Sequence, residues 1–320
     1  MPSDLSRRAV VAAGGILLGS ALTHAADQTA PPGARRKLKV AIFSKHLQFL
    51  EGDGLAAAAA AIGFDGVDIT VRKGGHVAPE RVRQDLPPLV AAIRRHGLEV
   101  PMITAEIVDA ESPHAEDMLR AMADLGIRYY RWGGFTYAAG EPYPAQLDRF
   151  RTRIAKLAAL NARYQACAMY HTHSGRDLVG APIWDLHILL EDLDPHAVGI
   201  NYDVGHATVE GGAGGWIDSF RICGAHLRGI AVKDFLWAKD AKGNWEPRWL
   251  PLGEGMVRFS EFFAMVALSG FEGPLQLHFE YPLGGAGDGK RQLTIPREEV
   301  YTAMKRDLAK LRGYMAQAGV

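Results

Sequence analysis

"QACAMYHTHSG" (165–175) begins with small and apolar residues and closes on two histidines two positions apart. It follows the helix-patterned stretch "YPAQLDRFRTRIAKLAALNARYQ" (143–165) and ends in Gly. The run therefore reads as a buried strand that delivers polar side chains at its C-terminal end. The same construction recurs in both directions. Upstream are "LKVAIFS" (38–44), "GVDITV" (66–71), "LEVPMITA" (98–105) and "RYYRWGG" (128–134). Downstream are "AVGINYD" (197–203), "LRGIAVKDF" (227–235) and "GPLQLHFE" (273–280). Amphipathic or Ala-rich stretches separate them, several stopping at Gly. Eight strands, each followed by a helix and spaced by roughly 30–35 residues, predict an α/β fold: a single-domain (β/α)8 TIM barrel over 37–320.

The chain's 320 residues suffice for one barrel of this size. Lys plus Arg equals Asp plus Glu, at 36 each, so no global field draws nucleic acid or an anionic membrane. At the N-terminus, "SRRAVV" (6–11) carries an arginine pair. The apolar run "AVVAAGGILLGSAL" (9–22) and the small-residue exit "THA" follow it. Residues 1–26 thus read as a twin-arginine export signal, which implies a periplasmic mature protein without a membrane anchor. Residues 27–36 read as a flexible lead-in. Only two cysteines follow, Cys167 and Cys223. Cys167 shares strand parity with Met169 and His171 and reads as a small buried hydrophobe.

Barrel enzymes build their sites at the C-terminal ends of the strands, so polar residues there carry functional weight. Side chains alternate faces along a strand. His171 and His173 therefore point the same way, as do His278 and Glu280, and Ala231 and Lys233. Asp203 closes the sixth strand and the turn "VGH" presents His206. One inward ring of His171, Asp203, Lys233 and Glu280 is expected. Imidazole with two carboxylates suits one divalent ion such as Mn, Zn or Mg, and without an ion the same groups form an acid–base cluster. Lys45, His46 and Arg72 follow the first two strands and suit hydroxyl or carboxylate contacts. Trp132 and Trp237 offer apolar faces to a sugar ring.

At these positions the chain resembles the xylose-isomerase-like TIM barrels, the sugar phosphate isomerase/epimerase superfamily, over about residues 38–315. "GFDGVDIT" (63–70) is similar to the second-strand signature. "YDVGHA" (202–207), "VKDF" (232–235), "PLGEGMVRF" (251–259) and "HFEY" (278–281) are similar to the motifs ending strands six to eight. "FSKHLQFL" (43–50) and "RKGGHVAPERVRQDLP" (72–87) resemble an exported subgroup. The resemblance implies a metal set of Glu, Asp, His and Glu at strands five to eight. Carried over, the Asp falls on Asp203 and the last Glu on Glu280. His171 replaces the first Glu, and Ala231 replaces the His of the H-x-K-D motif. That leaves His171, Asp203 and Glu280 as metal ligands.

The implied reaction is proton abstraction next to a carbonyl, by an isomerase or epimerase acting on a small carbohydrate. Glu280 serves as ligand or base, Lys233 as the cation beside a developing oxyanion, and His206 as the group that polarises a hydroxyl. His173 is placed for substrate. Export argues for a non-phosphorylated sugar. The same parts suit a lyase or dehydratase acting on keto-sugars or keto-glycosides, and Ala231 keeps a non-catalytic carbohydrate-binding barrel in play. An endonuclease of this fold is disfavoured by zero net charge and too few strand-end ligands. A homo-oligomer is compatible with the sequence.

Overall fold

The computed structural model describes residues 37–320, so the stretches expected to be an export signal (1–26) and a lead-in (27–36) lie outside the described residues. Eight parallel strands close into a barrel: β1 (Val40–Phe43), β2 (Gly66–Val71), β3 (Met102–Ala105), β4 (Tyr129–Trp132), β5 (Cys167–His171), β6 (Val198–Asp203), β7 (Leu227–Val232) and, after a two-stranded excursion, β10 (Leu275–Leu277). The ring is sealed where β1 pairs with both β2 and β10. Most strand positions are buried because the interior and the helix layer cover both faces. That accounts for the near-continuous apolar runs in the sequence.

Nine helices surround the barrel among the described residues: α1 (Gly52–Ile62), α2 (Val82–Arg95), α3 (Ala115–Asp124), α4 (Tyr143–Arg163), α5 (Trp184–Leu190), α6 (Val204–Gly211), α7 (Gly215–Cys223), α8 (Phe259–Ser269) and α9 (Arg297–Ala318). None is long and apolar enough to cross a membrane. Met102, Cys167 and Met169 fill the barrel interior near the strand starts, and both cysteines are buried and free. Above them Asn201 donates to Gln276 Oε1 at 3.0 Å, a polar layer across the barrel.

Two strand readings need correction. The run 227–235 is not one strand, because the barrel strand ends at Val232. Asp234 then opens an antiparallel hairpin of β8 (Asp234–Lys239) and β9 (Trp245–Leu250). Strand seven is thus followed by a hairpin before its helix, and strand six by two helices. The run 273–280 forms a strand only over Leu275–Leu277, leaving His278 and Glu280 just beyond it. In both places the apolar pattern outruns the ladder, since buried loop residues at a barrel mouth are as apolar as strand residues.

Candidate active site

The ends of β5, β6, β7 and β10 converge on one polar cluster. Asp203 both closes β6 and caps α6, with its Oδ1 accepting from His206 N at 3.0 Å. That cap turns the His206 ring back toward the barrel. Thr172 Oγ1 accepts from Asp203 N at 3.0 Å, so the residue between the two histidines fixes the neighbouring carboxylate. A Cβ on Gly205 would come within 2.8 Å of Lys233 Cγ. Glycine there leaves room for the lysine stem.

Lys233 is the centre of the cluster. It is 2% exposed, and its Nζ donates to His206 Nε2 at 2.7 Å and to Glu280 Oε2 at 2.8 Å, with Asp203 Oδ2 at 3.3 Å. An ammonium only donates, so His206 Nε2 accepts and its Nδ1–H donates to Ser174 Oγ at 2.8 Å. Trp249 of β9 closes the cluster from outside, with Lys233 Nζ 4.3 Å from its ring centre. Lys45 approaches the other Glu280 oxygen at 3.4 Å. Burial disfavours the Glu280 carboxylate, but Lys233 and then Lys45 outweigh it and hold its pKa well below the usual range. Asp203 is lowered against the same burial, chiefly by Lys233. Burial lowers His206 to about 3, with Lys233 adding to the shift, and lowers His173 to about 4, with Arg131 adding.

A deeper group lies beneath. His171, Asp203 and His278 bring one donor atom each within 4.8 Å of one another. Both ring nitrogens of His278 are buried without a hydrogen-bond partner, and Asp203 Oδ2 has only the longer ion-pair contacts to Lys233 Nζ at 3.3 Å and His171 Nε2 at 3.4 Å. Imidazoles left open beside a buried carboxylate fit a cation ligand set. His171 Nδ1 takes the Asn201 amide at 3.1 Å, and Asn201 Oδ1 is itself unpartnered. Rotating that amide together with the Gln276 amide it bonds would let Asn201 Oδ1 accept from His171 Nδ1–H and from Gln276 Nε2, freeing His171 Nε2 for a metal. A second grouping, His171 with His173 and His206, also brings one donor atom each within 4.8 Å of one another. Its outer rings are already engaged, by Arg131 for His173 and by Lys233 and Ser174 for His206. The residues present therefore fit a divalent ion at His171, Asp203 and His278. Glu280, expected as the third ligand, is instead bound by two lysines.

Three other expectations change. His46 is fully buried at the barrel seam. Its Nδ1 lies 3.2 Å from Ala286 O and its Nε2 accepts from Phe279 N at 3.1 Å, so no edge is left for substrate. Trp132 is 1% exposed and faces the helix layer, donating to Val108 O and packing on Tyr170. Trp237 lies out on the hairpin, 37% exposed, and Trp249 is the aromatic at the cluster. The neighbour of Trp132, Arg131, points inward and donates to His173 Nε2 at 3.1 Å. Below it Asp68 is buried against the Thr104 hydroxyl, and burial raises its carboxyl to about 7. Arg72 lines the mouth beside Arg131 around a cavity of about 210 Å³ that reaches His171 and His173. A cavity of about 440 Å³ opens at the opposite end, by Lys39, Glu99, Tyr129 and Pro274, where barrels carry stability rather than chemistry.

Comparison with known proteins agrees with this architecture. The family model described as "Xylose isomerase-like TIM barrel" matches residues 55–303. Among solved structures, the chain is similar to a D-psicose 3-epimerase from Clostridium cellulolyticum H10 solved with D-tagatose (TM-score 0.63, 12% identity, 87% of this chain and 99% of that one). It is also similar to the 3-keto-D-glucoside 4-epimerase YcjR from E. coli (0.62, 16%, 87% and 100%). A third is the probable 3-DHS dehydratase AsbF from Bacillus anthracis (0.64, 15%, 84% and 98%). No curated protein matches the chain by sequence.

Proposed function

The chain belongs to the xylose isomerase-like TIM barrel family, and from that premise we propose that it is an isomerase or epimerase of a non-phosphorylated sugar or sugar derivative. The reaction removes a proton next to a carbonyl and returns it. The observation that carries this reading is Lys233, a buried ammonium shared by Glu280, His206 and Asp203 at the strand ends. A binding protein has no need to hold a desolvated cation against two carboxylates, whereas an enediolate requires positive charge beside its oxygen. Glu280, the most accessible carboxylate of the cluster and ionised at neutral pH, accepts the proton. Lys233 faces the developing oxyanion, neutral His206 holds the lysine in place through its Nε2, and neutral His173, with only its Nε2 engaged, holds a substrate hydroxyl. Trp249 and the hairpin keep water from the lysine. A divalent ion held by His171, Asp203 and His278 would supply Lewis-acid polarisation of the carbonyl.

The test is solvent exchange. Ketoses and keto-glycosides are incubated with the enzyme in D2O and followed by proton NMR. Deuterium should enter at the carbon beside the carbonyl, and Glu280→Gln or Lys233→Met should slow it by at least a hundredfold. An unsaturated product would assign the lyase reading instead. Absence of exchange with every ketone, alongside measurable binding, would leave only a carbohydrate-binding barrel. We propose also that the protein works in the periplasm, on the strength of "SRRAVV". Replacing Arg7 and Arg8 by Lys should retain it in the cytoplasm, and unchanged export would refute the assignment.

A further inference from the structure

The charges at the barrel mouth do not cancel. Lys233 is matched by Asp203 and Glu280, and Lys45 by Glu280. Arg72 and Arg131 have no such match. Their guanidiniums flank one aromatic ring, Phe43, at 5.6 and 5.7 Å from its centroid. Among the described residues no carboxylate lies within ion-pairing distance of either, and the one polar contact of Arg131's guanidinium is with neutral His173. Asp68 lies beneath Arg131 with both oxygens turned to Thr104, so its charge acts on the two guanidiniums through space and not as an ion-pair contact. Glu106, at the rim of the same cavity, accepts from Lys73 N at 3.2 Å. Two like charges that share one ring and one cavity repel each other, and this is costly unless an anion arrives between them. Guanidiniums are planar forks suited to a carboxylate.

We infer that Arg72 and Arg131 form a carboxylate-binding subsite and that the substrate is a sugar acid rather than a neutral sugar. The inference rests on the proposed isomerase reading for the word "substrate", but the subsite itself rests on these two residues. His171 and His173 line the same cavity, so a ligand whose carboxylate lies between the arginines extends toward the lysine-centred cluster. The anchor orients the sugar so that the carbon to be deprotonated faces Glu280. Its binding energy comes from a part of the substrate remote from the reacting bond.

The experiment is calorimetric titration of the full-length mature protein with matched probes, D-glucuronate against D-glucose and D-galacturonate against D-galactose. D-glucose 6-phosphate is a third arm. At least one uronate should bind tenfold or more tightly than its neutral partner and more tightly than the phosphate. Arg72→Gln, at a partly exposed site without ion-pair partners, should remove that preference while keeping the thermal midpoint. Arg131→Gln should do the same, and Arg131→Lys should restore part of it. Equal binding of acid and neutral sugar, no binding of either, a preference that survives both Gln variants, or tighter binding of the phosphate would each overturn the inference. Deuterium exchange on neutral ketones would continue in the first of these cases, so failure of the subsite is distinguishable from failure of the reaction. Loss of exchange with uronate preference intact would sink only the reaction.

Discussion

Lys233, Asp203, His171 and Glu280 do converge. Alternation, a local rule that needs no knowledge of the partner strands, accounts for His171 and Asp203 at their strand ends, whereas Lys233 and Glu280 lie just beyond Val232 and Leu277. Other residues of the cluster escape that rule. Arg131 belongs to "YYRW", in which either set of alternate residues could face the barrel, and Trp132 next to it is the more conspicuous sugar contact. His278 shares parity with Glu280, and which of the two reaches the deeper group depends on where β10 ends. The structure gives that place to His278, so the two residues should separate experimentally. His278→Ala should abolish binding of Mn²⁺ measured by calorimetry, whereas Glu280→Gln should keep it within about tenfold and lose deuterium exchange. The reverse pattern would return Glu280 to the ligand set. Lys233→Met should tighten ion binding, since it removes a cation lying 3.3 Å from Asp203 Oδ2.

At the scale of elements, the hairpin of β8 and β9 is what the sequence conceals. "WEPRWL" (245–250) carries a proline and two charges, which argue against a strand. Yet its edges are free and its proline is opposite Trp237 in a two-stranded ribbon, where a missing donor costs little. The hairpin is anchored by Asp234. Its buried carboxylate accepts from the backbone N–H groups of Phe235, Gly253, Gly255 and Val257 at 2.9–3.2 Å. This explains why Asp follows Lys in "VKDF": one residue contributes the charge, and the next ties down the loop that covers it. Asp234→Ala would leave four backbone donors without that acceptor, those of buried Phe235 and Val257 and of exposed Gly253 and Gly255. A loss of about 3 kcal/mol in guanidinium unfolding is expected, together with weaker protection of Lys233. A loss below about 0.5 kcal/mol would show that water replaces the carboxylate.

Across the whole molecule, neutral histidines couple the site to stability. Burial lowers His46 and His206 to about 3, and His76 and His173 to about 4, while His171 and His278 lie well below their ordinary value. In the unfolded chain these rings titrate near 6.5. Between that pH and about 4 the unfolded state therefore binds more protons, and stability falls as pH falls, by up to ~1.4 kcal/mol per pH unit for each ring. Denaturant midpoints should be level above pH 7 and drop steeply from pH 6.5 to 5. A midpoint constant over that interval would mean the rings are already protonated in the fold. One of these rings is His46, which bonds to Phe279 and Ala286 across the junction of β1 with β10. Replacing it by Leu should raise amide hydrogen exchange in Val40–Phe43 and Leu275–Leu277 before it changes other strands. That junction joins the beginning of the described chain to residues more than 230 positions later, a connection with high closure entropy and slow formation. His278 and Glu280 follow the last barrel strand in the chain, so the charged cluster is incomplete until that strand closes the ring. During synthesis, then, this cluster stays incomplete until its final strand is released, and whatever chemistry it supports has to wait for a finished polypeptide.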